Sequence, residues 1–236
     1  MRVLPVLLFL LSVLNGLSQK VIDVGNNALP NTNSLFYTVG GQPVSNAKYV
    51  RVVDGTAYLN ETFKTGKIML SKGAMYQDIM LKLDLMDNTL HYLTATGEEL
   101  TTTTPVKSIW LEDPLTKKEA RFDNAEFLQT TGKIEPGWYQ QLDSGKVILY
   151  KRTVKTIREN KPYGSATVEQ YINNVYSYYL YTNGVFTNIK KIKFLPDMLQ
   201  DKKPELLQYI SSNNFSGRSD ADYISVIAYY NSLVKK

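Results

Sequence analysis

The sequence predicts an α+β protein: a mainly antiparallel β-meander, forming a curved sheet or a rolled half-barrel, followed by two to three C-terminal α-helices. Two observations lead to this class. Short runs of β-forming residues, separated by turn residues, fill positions 47–192, and apolar residues in 193–236 recur with the period of a helix instead. Strands grouped ahead of helices are typical of α+β folds, because βαβ proteins alternate the two. We expect the helical segment to pack on the β-rich body.

The first eighteen residues have the layout of a secretory signal peptide. Arg2 precedes the apolar run Val3–Leu14, and small residues then lead to a cleavage site between Ser18 and Gln19. The apolar run is shorter than the roughly 20 residues needed to span a bilayer, and no later run is long enough. We therefore expect an exported chain, periplasmic or at the cell surface or extracellular, without a transmembrane segment. Residues 19–46 are rich in Asn, Gly, Pro and Ser, which predicts an irregular entry segment.

One hairpin of the β-rich body, Ile79–Leu93, has a register that the sequence predicts. Apolar residues alternate with polar ones from Ile79 to Leu85, which is the pattern of a half-buried strand. Asp87 and Asn88 form the predicted two-residue loop, because both residue types tolerate positive φ. Since side chains alternate between faces, this loop places the apolar residues of both strands on one face. The predicted cross-strand pairs are Leu85 with Leu90, Leu83 with Tyr92, and Asp84 with His91.

The other strands are predicted from β-forming runs and from the turns between them. Asn183–Gly184, flanked by β-formers, is the strongest short hairpin signal in the chain. Further turns are predicted at Thr96–Gly97 and at Asp143–Gly145, the second without a defined register. The predicted strands are Lys48–Val53, Val106–Leu111, Ala120–Asp123, Trp138–Leu142, Lys146–Thr156, Tyr176–Thr182 and Val185–Lys190.

Three helical stretches are predicted at the C-terminal end. A short turn covers Leu195–Leu199, and Asp201 is expected to cap a helix that ends near Ser211. The apolar stripe of that helix is Leu206, Leu207 and Ile210. Ser219, followed three residues later by Asp222, predicts the start of the final helix. Its apolar positions, spaced as on one helix face, are Tyr223, Val226, Ile227, Tyr230 and Val234.

Composition excludes several classes of function. The chain has no cysteine, so disulfides and thiolate zinc sites are excluded and stability must come from packing. Its 27 basic and 22 acidic residues give a net charge of +5, which is too small to indicate a nucleic-acid partner. Neither a calcium loop nor a phosphate-binding glycine loop is present. We therefore expect no metal and no cofactor.

Catalytic candidates are few. His91 is the only histidine, and no nucleophile motif accompanies it. Its predicted pairing with Asp84 has two interpretations, a carboxylate-oriented imidazole or an ordinary polar pair on a solvated face. Paired carboxylates, as a glycosidase requires, occur at Glu98–Glu99 and Glu112–Asp113. Neighbouring side chains of a strand point to opposite faces, so neither pair converges locally, and the sequence predicts no catalytic residue.

The stretch Lys146–Lys193 has an unusual composition. It contains nine basic residues, two acidic residues and seven tyrosines. A basic, tyrosine-rich sheet can bind an anionic glycan, a lipid head group or another envelope protein. The alternative is an ordinary solvated sheet face that carries cross-strand tyrosine pairs. The predicted anionic-partner residues are Lys151, Arg152, Lys155, Arg158, Lys190 and Lys191.

Five segments, which cover much of the chain after the leader, carry a family resemblance. They are Gly55–Phe63 (GTAYLNETF), Leu81–Leu93 (LKLDLMDNTLHYL), Trp138–Arg152 (WYQQLDSGKVILYKR), Tyr178–Lys191 (YYLYTNGVFTNIKK) and Asp201–Asn213 (DKKPELLQYISSN). Together they resemble a group of uncharacterised secreted proteins of Bacteroidota. The resemblance implies a periplasmic or cell-surface location, and it implies no activity and no site residues.

These observations favour an exported, non-enzymatic binding or scaffolding protein of the bacterial cell envelope. Two alternatives stay open. The first is a hydrolase that uses two carboxylates to cleave envelope polysaccharide. The second is a β-cavity that holds a small apolar ligand, which predicts an interior volume lined by Leu, Ile and Tyr in place of a packed core. Nucleic acid is not an expected partner, because the chain carries an export leader.

Overall fold

Twelve strands in the described part of the chain form one mostly antiparallel sheet, and three α-helices follow it in sequence. This computed structural model describes residues 42–43, 51–163 and 168–234, which belong to a unit that spans Asn31–Lys236. The predicted α+β class is confirmed. The sheet is open and uncurled, and does not roll into a half-barrel.

Three sequence predictions lie wholly or partly outside the described residues. The cleavage site at Ser18 and Gln19 is one of them. The entry segment 19–46 is described only at Gln42–Pro43, which form a two-residue strand. The predicted strand Lys48–Val53 is described from residue 51 onward.

In the second half of the sheet, strands that are consecutive in the chain lie next to each other. They are β1 Gln42–Pro43, β2 Val52–Asp54, β3 Lys64–Leu70, β4 Met75–Asp84, β5 Thr89–Leu93, β6 Glu99–Thr101, β7 Val106–Glu112, β8 Glu119–Asn124, β9 Trp138–Asp143, β10 Ile148–Asn160, β11 Glu169–Thr182 and β12 Val185–Ile189. Their order across the sheet is β1-β6-β5-β4-β3-β7-β8-β9-β10-β11-β12. The short β2 adds parallel to the start of β11, on the same edge as β12.

β3 is not among the predicted strands, yet it lies between β4 and β7 inside the sheet. Its Gly66 weakens the strand signal in the sequence, since glycine is a poor strand former. The structure shows why glycine is needed. A Cβ at this position would lie 2.3 Å from the carbonyl oxygen of Trp110 on β7.

The predicted register of the β4–β5 hairpin is wrong by two residues. Leu83 pairs with Leu90, and His91 lies opposite Lys82 instead of Asp84. The loop has four residues, because the Asp84 carboxylate accepts the backbone N–H groups of Met86 and Asp87 and so builds a turn of its own. A two-residue shift leaves every side chain on its predicted face, so the apolar residues are still buried together.

The Asn183–Gly184 hairpin is confirmed. Thr182 pairs with Val185, and both loop residues have positive φ, 49° for Asn183 and 79° for Gly184. Those values match a type I′ turn, which suits the twist of the two flanking strands. The predicted turn at Thr96–Gly97 is also confirmed.

The three helices are α1 Leu195–Met198, α2 Lys203–Ser212 and α3 Asp220–Leu233. Ser219 caps α3 as predicted, because its hydroxyl accepts the N–H of Asp222. The prediction for Asp201 is wrong. The residue before α2 is Lys202, which makes no side-chain cap, and the Asp201 carboxylate accepts the hydroxyl of Tyr230 from α3 instead.

Two large hydrophobic clusters stabilise the described sheet, beside a small third cluster around Ala125, Tyr139 and Tyr150. The first lies on β3–β9, and its largest buried members include Ile68, Leu81, Leu83, Leu90, Tyr92 and Ile109. The second joins β10–β12 to the helices and includes Leu149, Leu180, Leu195, Leu206, Val226 and Ile227. Leu207, predicted for the apolar stripe of α2, is 50% exposed. The helices thus cover one face of the C-terminal strands, as expected.

Candidate ligand-binding pocket

A cavity of about 340 Å³ opens where β12 ends beside β11 and where the loop before α3 returns to the sheet. β11 contributes two tyrosines, and α3 contributes a third. The end of β12 adds an amide and an ammonium group, and the loop before α3 adds a guanidinium group. The side chains that give the pocket its chemistry are Tyr176, Tyr178, Asn188, Lys190, Arg218 and Tyr223.

One wall of the pocket is a stacked pair of tyrosines. The rings of Tyr178 and Tyr223 lie 3.9 Å apart at an angle of 17°. The hydroxyl of Tyr178 donates to the Asp220 carboxylate, and Lys151 binds the same carboxylate at 2.8 Å. Burial, and after it the hydrogen bond to Asp220, raises the pKa of Tyr178. The wall is therefore held in place by contacts between sheet and helix, and its hydroxyl stays protonated.

The pocket carries two cations, Lys190 and Arg218. Neither forms an ion pair with any described residue. The nearest acids in sequence to Arg218 are Asp220 and Asp222. Asp220 binds Lys151 and the hydroxyl of Tyr178, and Asp222 accepts hydrogen bonds from Ser219 and from the backbone of Gly217. The hydrogen bond from Ser219 leads the contacts that lower the pKa of Asp222. The described lining thus carries two cationic side chains and no carboxylate.

The six predicted anionic-partner residues do not share one surface. Alternate residues of β10 point to opposite faces, and the contacts follow this rule. Lys151 faces α3 and binds Asp220, whereas Arg152 donates to the carbonyl of Pro136 and lies over Tyr139 on the other face.

The remaining predicted residues are also divided. Lys155 is only 9% exposed, and burial lowers its pKa. Arg158 is exposed and lies 4.7 Å from the centre of the Tyr171 ring. Lys190 lines the pocket, and the exposed Lys191 follows it in sequence. Of the six predicted residues, only Lys190, at the end of β12, therefore lines the pocket.

Three pocket residues were not indicated by the sequence. Arg218 and Tyr223 lie beyond the basic, tyrosine-rich stretch, and Asn188 carries no charge. Arg218 precedes the cap of α3, so its position in sequence indicates a helix start and no site. Only the packing of α3 against β11 brings it to Lys190.

His91 lies in a second polar cluster, on β4–β6. Its Nδ1 lies 2.8 Å from Glu99 Oε1, and its Nε2 lies 3.1 Å from the hydroxyl of Thr89. Lys82 Nζ lies 2.8 Å from the same oxygen of Glu99. Of the two interpretations, the polar pair on a solvated face is wrong, because His91 is 4% and Lys82 9% exposed. The carboxylate that orients His91 is Glu99, because the shifted register moves Asp84 away from it.

Hydroxyl, imidazole and carboxylate follow one another in this cluster as in a nucleophilic triad. Lys82 sets it apart, because its charge neutralises the carboxylate that would have to stabilise an imidazolium. Burial raises the pKa of Glu99, but hydrogen bonds from Lys82 and His91 outweigh that effect and lower it. The aromatic ring of Tyr58 covers the cluster, with its centroid 5.6 Å from that of His91. We interpret the cluster as a polar network that joins three strands.

The other carboxylate candidates have local roles. Glu112 binds Lys117 at 2.8 Å. Asp113 accepts the N–H groups of Leu115 and Thr116 and so closes the β7–β8 turn. In this pair the two carboxylates serve separate contacts.

Across the described residues, no group of His, Asp and Glu side chains is arranged to hold a metal ion. In the same residues, no helix combines the length and apolar character needed to cross a bilayer. Comparisons with protein-family models, curated proteins and solved structures found no match.

Proposed function

We propose that this chain is an exported, non-enzymatic binding protein of the bacterial cell envelope, and that its pocket holds an anionic ligand. The observation that carries the proposal is a pair of cations, Lys190 and Arg218, beside a wall of stacked tyrosines. Neither cation has an acidic partner among the described residues. The proposed location is supported by the leader-like first eighteen residues and by the family resemblance. The expected partners are an anionic glycan, a lipid head group or another envelope protein.

The chemistry of the lining favours binding of an anion. A guanidinium group can donate two parallel hydrogen bonds to a carboxylate or phosphate, and an ammonium group adds a point charge. Hydrogen bonds to charged groups contribute about 1.5–3 kcal/mol each. Asn188 and Ser177 add neutral polar groups at the same opening. The two cations could therefore hold one anionic group between them.

The same lining does not favour catalysis. It contains no carboxylate and no imidazole among its described residues. Burial raises the pKa of both wall tyrosines, Tyr178 and Tyr223, so neither hydroxyl is available as a base near neutral pH. Ile189 is the one aliphatic residue in the described lining, so the pocket suits a polar ligand better than an apolar one.

The test is binding of the full chain to immobilised polygalacturonate and polyglutamate at low ionic strength. The variant with Lys190→Glu and Arg218→Glu should bind at least ten times more weakly to any matrix that the pocket recognises. The matched control carries Lys72→Glu and Lys107→Glu, which make the same change in net charge at exposed positions outside the pocket. Equal losses in the two variants would mean that net charge, and not the pocket, controls binding, and the proposal would be wrong.

A further inference from the structure

The outer edge of β11 is only partly covered in the described residues. β12 pairs with Tyr178–Thr182, and β2 pairs with Gln170 and Tyr171. Between them, the stretch Asn173–Ser177 pairs with β10 on one side and with no described strand on the other. The side chains of this stretch are mostly exposed, Val175 to 48%.

The direction of the backbone groups in this gap follows from the neighbouring pairs. Thr182 and Val185 flank a two-residue loop and therefore form a hydrogen-bonded pair, so Thr182 points its N–H and C=O toward β12. Alternate residues of a strand direct their backbone groups to the same edge, so the N–H and C=O groups of the even-numbered residues of β11 point to its outer edge. Gln170 agrees, because its N–H donates to Arg51 on that side. Asn174 and Tyr176 therefore offer their backbone groups at the open edge.

The open edge is continuous with the pocket. Tyr176 and Ser177 belong to both, and Lys190 lies where β12 leaves the edge. A strand that continued the line of β12 along Asn173–Ser177 would span five residues, or about 16 Å. Side chains at the near end of that strand would meet Lys190 and Arg218.

We propose that the anionic ligand is an extended acidic peptide that adds to β11 as a strand. This inference rests on the proposed function, because it assigns a ligand class to the same pocket. Exposed strand edges bind peptides through main-chain hydrogen bonds, while neighbouring pockets select side chains. Here the backbone groups of Asn174 and Tyr176 supply the main-chain contacts. Lys190 and Arg218, which lack acidic partners among the described residues, select glutamate or aspartate.

The experiment uses the full chain and a labelled nine-residue peptide in which glutamate and valine alternate. A second peptide has the same sequence but carries an N-methyl group on every backbone nitrogen, which retains the side-chain charges and removes the donors of both strand edges. We expect the first peptide to bind at least ten times more tightly than the second, and its binding to fall at least tenfold with Lys190→Glu and Arg218→Glu. Amide exchange measured by NMR should slow at Asn174 and Tyr176 and stay unchanged at Val175, which already pairs with β10.

The outcomes separate this inference from the proposed function. If both peptides bind equally and only the pocket variant loses affinity, strand addition is wrong and the anionic pocket stands. If the chain binds polygalacturonate and neither peptide, strand addition is also wrong and the anionic pocket stands, with a glycan as its ligand. Protection of Asn174 and Tyr176 in a dimer without peptide would overturn the inference in favour of a second copy of the chain. If the pocket variant changes no anionic probe, both proposals are wrong.

Discussion

The Glu99 carboxylate offers the sharpest test of the buried polar network on β4–β6. Two donors bind its Oε1 at 2.8 Å, Nζ of Lys82 and Nδ1 of His91. Glu99→Ala removes the acceptor and leaves the Lys82 ammonium, whose side chain is only 10% exposed, without its carboxylate. The cost of the substitution is therefore the cost of an unpaired buried charge.

The magnitude follows from the burial of the two partners. Removing one member of a fully buried pair costs about 3–5 kcal/mol, and an exposed pair is worth about 0–1 kcal/mol. Because the Glu99 side chain is 29% exposed, water can reach the site and reduce the penalty. We expect Glu99→Ala to lower the free energy of unfolding by about 2–3 kcal/mol. Replacing both partners, with Lys82→Met and Glu99→Leu, should cost less than the single change, because no charge is then left unpaired.

The dependence on pH has a definite sign. The pKa of Glu99 is lower in the folded protein than its ordinary value of 4.5. As the pH falls, the Glu99 carboxyl therefore binds a proton in the unfolded chain before it does so in the folded protein. The stabilisation by Glu99 is fully present above its pKa in the unfolded chain and is lost as the pH falls through its pKa in the folded protein. The difference between wild type and Glu99→Ala should narrow over that acidic range.

Urea denaturation followed by circular dichroism, at pH 7 and at several acidic values, measures both effects. Glu98→Ala is the matched control, since Glu98 is the exposed neighbour, and a change within about 0.5 kcal/mol is expected there. A loss below about 0.5 kcal/mol for Glu99→Ala would refute the reasoning. So would a difference from wild type that stays constant as the pH falls.

Three further predictions concern packing and processing. Asn231→Ala should cost about 2–4 kcal/mol in urea denaturation, because the Asn231 amide binds both backbone groups of the buried Val147; a loss below 1 kcal/mol would contradict this. Gly55→Ala should cost at least about 2 kcal/mol, since its Cβ would lie 2.1 Å from a carbonyl oxygen of β11, and Gly73→Ala, with similar φ but open space, should cost about half as much. Mass spectrometry of the exported protein should find a chain that begins at Gln19, and an intact leader would contradict export by this route.

Local chemistry explains which parts of the fold the sequence could predict. The Asn183–Gly184 turn needs positive φ at two successive residues, and these residue types provide it wherever they occur. The β4–β5 register was missed because alternation of polarity is unchanged by a shift of two residues. Only the turn formed by the Asp84 side chain distinguishes the two registers.

Tertiary contacts explain the failures at Asp201 and in the pocket. The sequence suggests Asp201 as a helix cap, but the hydroxyl of Tyr230, which lies in another helix, binds its carboxylate. Lys190 was predicted from a basic stretch, whereas Arg218 belongs to a loop without an unusual composition. No local pattern joins these two residues, since their proximity depends on how α3 packs against β11.

The parallel pairing of β2 with β11 has a consequence for the order of folding. β7 to β12 are each next to their neighbour in sequence, so this part of the sheet needs only short loop closures, which are fast. β2 must instead wait for a partner that comes from the far end of the β-rich body. If the chain is exported as proposed and leaves the translocation channel with its N-terminus first, β2 emerges among the first strands and pairs among the last.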